Sequence, residues 1–390
     1  MVMVEEKPAL AFVREEISEI IILVSTDKGA FLYFSDADRR HWDVSGPHFM
    51  GATVHHLVLD PRDNNTLLAS VQSRISGNII YRSTNFGKSW KSASKQPTFK
   101  KNKLNRAVDH VFCLMPGHDE EKNCWYAGTS PQGLFRSEDG GNNWESVEGF
   151  NDNKNWESWT KKSADGYPKV SKLHSIIINS SNKDHMYIGM SYGGVFQTLD
   201  AGKKWTPIND GLHADYMKNK NSKFGHDPHS VISHPYNPDR LYQQNHCGIY
   251  KLDLPNNKWV RIGDNMPSDI GDIGFPIAIH PNDPNTIWVF PIDGTEMWSR
   301  VCPEGQPAIY CSKDGGESWF RQDIGLPMRN AWLTVLRKSL NTDSMLEAGI
   351  YFGTTSGSLW MSDNEGNSWR QIAIHLPRIL SIETGKILKK

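Results

Sequence analysis

Cysteine is scarce in this chain, with five in 390 residues, an odd number without close pairing. That excludes a disulfide framework and fits a reducing compartment. No apolar run reaches the roughly 18 residues that a membrane-crossing helix needs, and no cleavable leader is recognisable at the start, so the expectation is a soluble, cytoplasmic protein. An excess of one charge is also missing. The formal net charge is −1, which gives no reason to expect nucleic acid or an acidic membrane as partner. The one local concentration of charge, Lys100, Lys101, Lys103 and Arg106, reads as a solvated loop. No linker or low-complexity segment interrupts the chain, which therefore reads as one large domain and not as two or three.

What the chain does have is repetition. A motif of the form S/T-x-D/N-x-G-x-x-W recurs with its tryptophan at Trp90, Trp144, Trp205, Trp319 and Trp369, and two worn copies end at Trp42 and Trp259. The clear copies begin at Ser83, Ser137, Thr198, Ser312 and Ser362. Such a motif suits a turn between antiparallel strands: Ser and Asp bond local backbone, Gly takes a positive φ, and Trp packs between units. Four short strands surround each copy, as in HSIIIN, HMYIGMS, GGVFQT and KWTPI of the third repeat. The pattern predicts an all-β, seven-bladed β-propeller.

The ends of the chain complement each other. Pro377 to Glu383 reads as a first strand with no successors, and Ile20 to Ser35 as later strands lacking a first. Together they would make a shared blade, 9–46 with 376–384, that removes exposed sheet edges. The other blades are expected at about 52–95, 107–149, 170–210, 226–263, 272–325 and 330–375.

Aligning the first strands on the proline that often follows them places His55, His110, His174 and His229 in one column, with Phe275 in a fifth strand. Four such matches in one column by chance are expected roughly once in ten thousand trials. First strands line a propeller's channel, so the column predicts converging imidazoles and a divalent transition metal, with Fe, Cu, Mn or Zn all suited to nitrogen ligands. Other polar residues crowd the same face. His226 and Asp227 precede the His229 strand, His246 ends its neighbour, and either histidine is a candidate fifth ligand or acid–base group. Cys247 reads as packed. Two long loops bring Trp156, Glu157, Trp159 and Tyr167, then His213, Asp215 and Tyr216, as a substrate lid or a plug. An insertion from Asp293 to Pro307, with Glu296 and Trp298, widens the rim.

The repeat resembles the Asp-box, or BNR repeat, of sialidases, sortilin-like receptors and related propellers. The segments Ser25 to Phe49, Leu241 to Tyr250 and Ile273 to Pro291 are similar to prokaryotic single-domain BNR-like propellers, a group often labelled exo-alpha-sialidase or glycosyl hydrolase. The resemblance covers essentially the whole chain and implies the propeller fold. A sialidase would bring three arginines, a tyrosine–glutamate nucleophile and an Arg-Ile-Pro element. This sequence has no Arg-Ile-Pro, offers histidines where those arginines fall, and retains only Arg378 in a comparable position.

The sequence therefore predicts a metal-dependent enzyme acting on a small organic substrate at the channel mouth. His55, His110, His174 and His229 would hold the metal, and His246, His226, Glu157 and Asp215 would serve catalysis. Two alternatives stand beside it: a sialidase-like glycoside hydrolase with paired carboxylates, and a non-catalytic propeller that presents its face to a protein partner.

Overall fold

A computed structural model describes residues 17–100, 106–159, 171–294 and 300–388. Nearly every element is a strand, and the strands form five four-stranded antiparallel sheets and one eight-stranded sheet. The eight-stranded sheet has two antiparallel halves, joined by a single parallel pair between Lys338 and Ser381. One half is made by both ends of the chain. Ile379–Leu388 pairs along Ile17–Thr26, which continues into Gly29–Ser35 and Asp43–His48. The architecture is all-β and propeller-like. Among the described residues no helix is long and apolar enough to cross a membrane.

The repeated motif builds the same turn each time. Ser137 Oγ donates to Asp139 Oδ1 at 2.8 Å and accepts the Gly141 N–H at 3.0 Å, while Asp139 Oδ1 accepts the Asn143 N–H at 2.9 Å. Thr198, Ser312 and Ser362 repeat the scheme with Gly202, Gly316 and Gly366 at 2.8–2.9 Å. The glycine is needed here because Gly141 sits at φ +87° and a Cβ at this position would run into the Leu68 methyl groups. The turn aims each tryptophan into a cluster drawn from two adjacent sheets. Trp205 packs with Cys113 and Tyr126 of one sheet and Ile188 and Phe196 of the next, and Trp144 bridges Leu68 and Ala127 in the same way. The core is therefore a series of apolar layers between sheets, and the polar chemistry is left to the axis.

Loop residues expected to be solvated or mobile have packing roles. Arg106 is buried between the rings of Phe99 and Trp156, each 4.3 Å from the guanidinium carbon, and donates to the Asn151 carbonyl at 2.5 Å. It is a packing post and not part of a solvated charge run. Trp159 is buried against Phe150 and Phe196, which is the behaviour of a plug. Lys101, Lys103, Tyr167, Glu296 and Trp298 lie outside the described residues.

Candidate functional site: the channel mouth

The innermost strands share an irregularity that no sequence pattern announced. In Thr53–Leu59, Val54 pairs with Val71 and His56 with Ser70, which leaves His55 as an extra residue, a β-bulge. The same step isolates Phe112, His174, His229 and Leu380 in their strands. Phe275 and Pro276 together oppose Phe290, and residues 336–339 bulge out opposite Gly353. A bulged residue is aimed away from the ladder, and here the ladder edge is the channel.

This register corrects the histidine column. His174 and His229 share the bulge position with His55, but in the second strand the position belongs to Phe112. His110 stands two residues earlier, because Pro116 is still paired, with Trp125, where Pro61 has already left its strand. Aligning on the proline therefore slid one strand by two residues. His110 belongs to a second tier, one step further up, with Thr53, Lys172, Asp227, Ile273, Thr334 and Arg378. Equivalent backbone hydrogen bonds fix that tier: Ser191 N–H to Lys172 O, His246 N–H to Asp227 O, Ile292 N–H to Ile273 O, Thr355 N–H to Thr334 O and Asp27 N–H to Arg378 O, all between 2.9 and 3.1 Å.

The four histidines do not form one cluster. His55 and His110 stack with ring centroids 4.1 Å apart and 13° between planes. His55 Nε2 meets Gln72 Oε1 at 3.0 Å, and His110 Nδ1 meets Asp109 Oδ2 at 2.7 Å. His174 is buried, with Nδ1 on Ser175 Oγ at 3.0 Å. His229 donates from Nδ1 to the Gly274 carbonyl at 2.6 Å and stands edge-on to His246. Among the described residues, the one group of three or more potential ligands whose donor atoms all lie within 4.8 Å of one another is Asp227, His229 and His246.

The channel opens here into a cavity of about 400 Å³. Its lining carries four cationic side chains, Lys172, Arg337, Lys338 and Arg378, against one carboxylate, Asp27, with His55, His110, Gln72 and Phe112 between them. Asp27 Oδ1 is buried and has no hydrogen-bond partner. Burial, and then the neighbouring His110, push the His55 imidazole down to about 4. Burial also lowers His110, against the opposing pull of Asp109, and it lowers His174 well below the usual imidazole value, helped by Arg337. The histidines are thus neutral near pH 7, and the field of the cavity is set by its lysines and arginines. Burial and the charge of Arg337 lower Lys172 as well. Arg300 and Arg337 both approach the face of Phe275, at 5.1 and 5.6 Å. Lys338 also lines a second cavity of about 510 Å³, toward the opposite end of the channel, where His56 and Glu383 pair at 2.9 Å.

The remaining predicted residues are scattered. His226 is fully buried and gives its Nε2 bond, 2.6 Å, to the Ser222 carbonyl, so it braces a loop away from the cavity. Asp215 is exposed and held by Lys220 at 2.7 Å and His213 at 3.2 Å. The side chain of Glu157 lies outside the described residues. His246 reaches the channel rim between Tyr216 and His229. Cys247 is packed, its thiol raised by burial. Sequence reasoning missed Asp27, Lys172, Arg300, Arg337 and Lys338. Lys172, two residues before His174, could have been found once the tiers were known.

No known protein-family profile matches this chain. It is 25% identical over 224 residues to a xyloglucanase of a Paenibacillus species, covering 50% of this chain and 20% of that protein. It is also 25% identical over 229 residues to a xyloglucanase of Acetivibrio thermocellus, covering 51% and 25%. The chain thus spans about a quarter or less of the length of these relatives. Among solved structures it superposes on the GH74 xyloglucanase from Xanthomonas campestris with a TM-score of 0.61 at 18% identity, over 90% of this chain and 51% of that one. It also superposes on YCF48 from Cyanidioschyzon merolae with a TM-score of 0.50 at 15% identity, over 88% of this chain and 95% of that one. These likenesses support a propeller fold of the glycosyl-hydrolase-like type.

Proposed function

We propose that this protein is a seven-bladed Asp-box propeller that binds and processes a glycoside carrying a negative charge. The two halves of the eight-stranded sheet count as separate blades, and the described residues form a single domain. The observation that carries the reading is the cavity of about 400 Å³, with four cations against one carboxylate and neutral histidines at its wall. A neutral sugar has no use for such a field, whereas a uronate or other acidic sugar does. The glycoside class is supported by the relatives named as xyloglucanases.

In this reading Arg337, Arg378 and Lys172 hold the anionic group, and Phe112 offers an apolar face to the sugar ring. Glycoside hydrolysis asks for a proton donor and a base or nucleophile on opposite sides of the scissile bond. Asp27, with its unpartnered carboxylate oxygen, and the Asp109–His110 pair are the groups the mouth offers for these roles. The metal-dependent chemistry expected from four converging histidines gives way to this reading, because the histidines are divided between two tiers.

Calorimetric titration and product analysis with a uronate-terminated oligosaccharide and a neutral xylogluco-oligosaccharide test it. Binding and cleavage of the acidic sugar, both lost in Arg337→Met, is the expected result. Preference for the neutral sugar would overturn the charge argument, and indifference to both would overturn the glycoside reading.

A further inference from the structure

A second site stands beside the cavity. We infer that Asp227, His229 and His246 bind a divalent transition-metal ion, which the glycoside reading neither needs nor explains. His229 Nδ1 is committed as donor to the Gly274 carbonyl at 2.6 Å. Its Nε2 therefore presents a lone pair, and Asp227 Oδ2 lies 3.7 Å from it. That separation is too long for a hydrogen bond. It is close to what two ligands of one ion require, since bonds of about 2.0–2.1 Å spread over tetrahedral to octahedral angles put donor atoms roughly 3–3.5 Å apart. His246 completes the set, with all three donor atoms within 4.8 Å of one another.

The surroundings orient these groups as a metal site's outer shell does. The Gly274 carbonyl fixes the tautomer and the ring plane of His229. The Tyr192 N–H donates to Asp227 Oδ1 at 3.3 Å, which turns Oδ2 toward the histidine. The His246 N–H donates to the Asp227 carbonyl at 2.9 Å, tying the strand end that carries His246 to the segment that carries Asp227. Tyr216 packs edge-on against the His246 ring. Asp227 and His229 are buried. Two imidazoles and one carboxylate suit Fe(II), Mn(II), Co(II) or Zn(II) and leave further coordination positions open.

Arg337 lines the cavity and is not one of the three ligands. Arg337→Met should therefore remove acidic-sugar binding without removing the ion, and the two readings can fail separately.

The experiment is calorimetric titration of chelator-treated protein with Zn(II) and Co(II), with circular dichroism on every variant. The expected result is one equivalent bound, weakened at least about a hundredfold in His246→Ala and in Asp227→Asn and unchanged in His110→Ala. The His246 substitution at the rim keeps the test valid if the buried Asp227 variant misfolds. Absence of stoichiometric binding would overturn the inference. Equal loss in His110→Ala would also overturn it and return the ion to the stacked His55–His110 pair.

Discussion

Glu383 gives a quantitative test of how the channel is held together. The Leu114 N–H donates to His56 Nδ1 at 3.1 Å, so His56 carries its proton on Nε2 and donates to Glu383 Oε1 at 2.9 Å. Asn341 Nδ2 donates to Glu383 Oε2 at 2.7 Å. One carboxylate on the closing strand thus ties together innermost strands of several sheets. Glu383→Ala leaves the His56 Nε2–H without an acceptor, whereas Asn341 Nδ2 keeps the Ile382 carbonyl at 3.3 Å. His56 is buried, and a stranded buried donor costs about 1–3 kcal/mol. Asn341 is half-buried and keeps one acceptor, so it adds no more than about 1 kcal/mol, which makes the total about 1–4 kcal/mol. With an unfolding entropy near 2.1 cal/mol/K per residue, 390 residues give about 0.8 kcal/mol/K, so the melting temperature should fall by roughly 1–5 °C. Glu383→Gln keeps an acceptor for His56 but turns an amide N–H toward Asn341, and should cost about half as much. Differential scanning calorimetry at neutral pH measures both. An unchanged melting temperature in Glu383→Ala would refute the network's role, and so would a larger loss in the glutamine variant.

Other outcomes follow from the same structure. Trp205→Ala empties a buried position between two sheets and should cost about 3–5 kcal/mol by denaturant unfolding, whereas a loss below 1 kcal/mol would mean that the inter-sheet layer can collapse. His55 has its folded value depressed from the ordinary 6.5 to about 4. Its contribution to stability is complete above pH 6.5 and is lost as pH falls toward 4, about 3 kcal/mol in all. Melting curves from pH 7.5 to 4.5 should accordingly be flatter in His55→Gln than in the parent, and parallel curves would contradict the burial argument. His226→Gln should leave acidic-sugar affinity within about twofold, because the ring faces the Ser222 carbonyl away from the cavity; a tenfold loss would place it at the site after all.

The parts of this fold that were legible in the sequence are the local ones. The Ser-Asp-Gly-Trp framework is a turn whose hydrogen bonds close within eight residues, so its chemistry is written in adjacent letters. The pairing of the chain's two ends was legible for a similar reason, since each end carried an incomplete set of strands. The histidine register was less so. A bulge inserts one residue without changing the apolar pattern, and the proline used as a ruler sits inside one strand and outside another, so His110 took a place that belongs to Phe112. Arg337 and Lys338 were invisible because they stand in a four-residue excursion, 336–339, that has no counterpart in the other strands. Asp27 sits in a hairpin between two apolar strands, where a carboxylate is ordinarily solvent-facing. Only the closing of the ring brings it to Arg378.

The bulges carry one more consequence. A residue in a regular strand answers to its partners on both sides, and changing it disturbs the ladder. His55, Phe112, His174, His229 and Leu380 each have no partner across the ladder. Their side chains can therefore be exchanged without disturbing the ladder's own hydrogen bonds, although His229 also serves the Gly274 carbonyl. The architecture is in effect a frame with interchangeable fittings. A lineage could pass from one ligand to another by single substitutions at these places while every sheet stays intact, and an engineer could do the same by rewriting Phe112 or Leu380 alone.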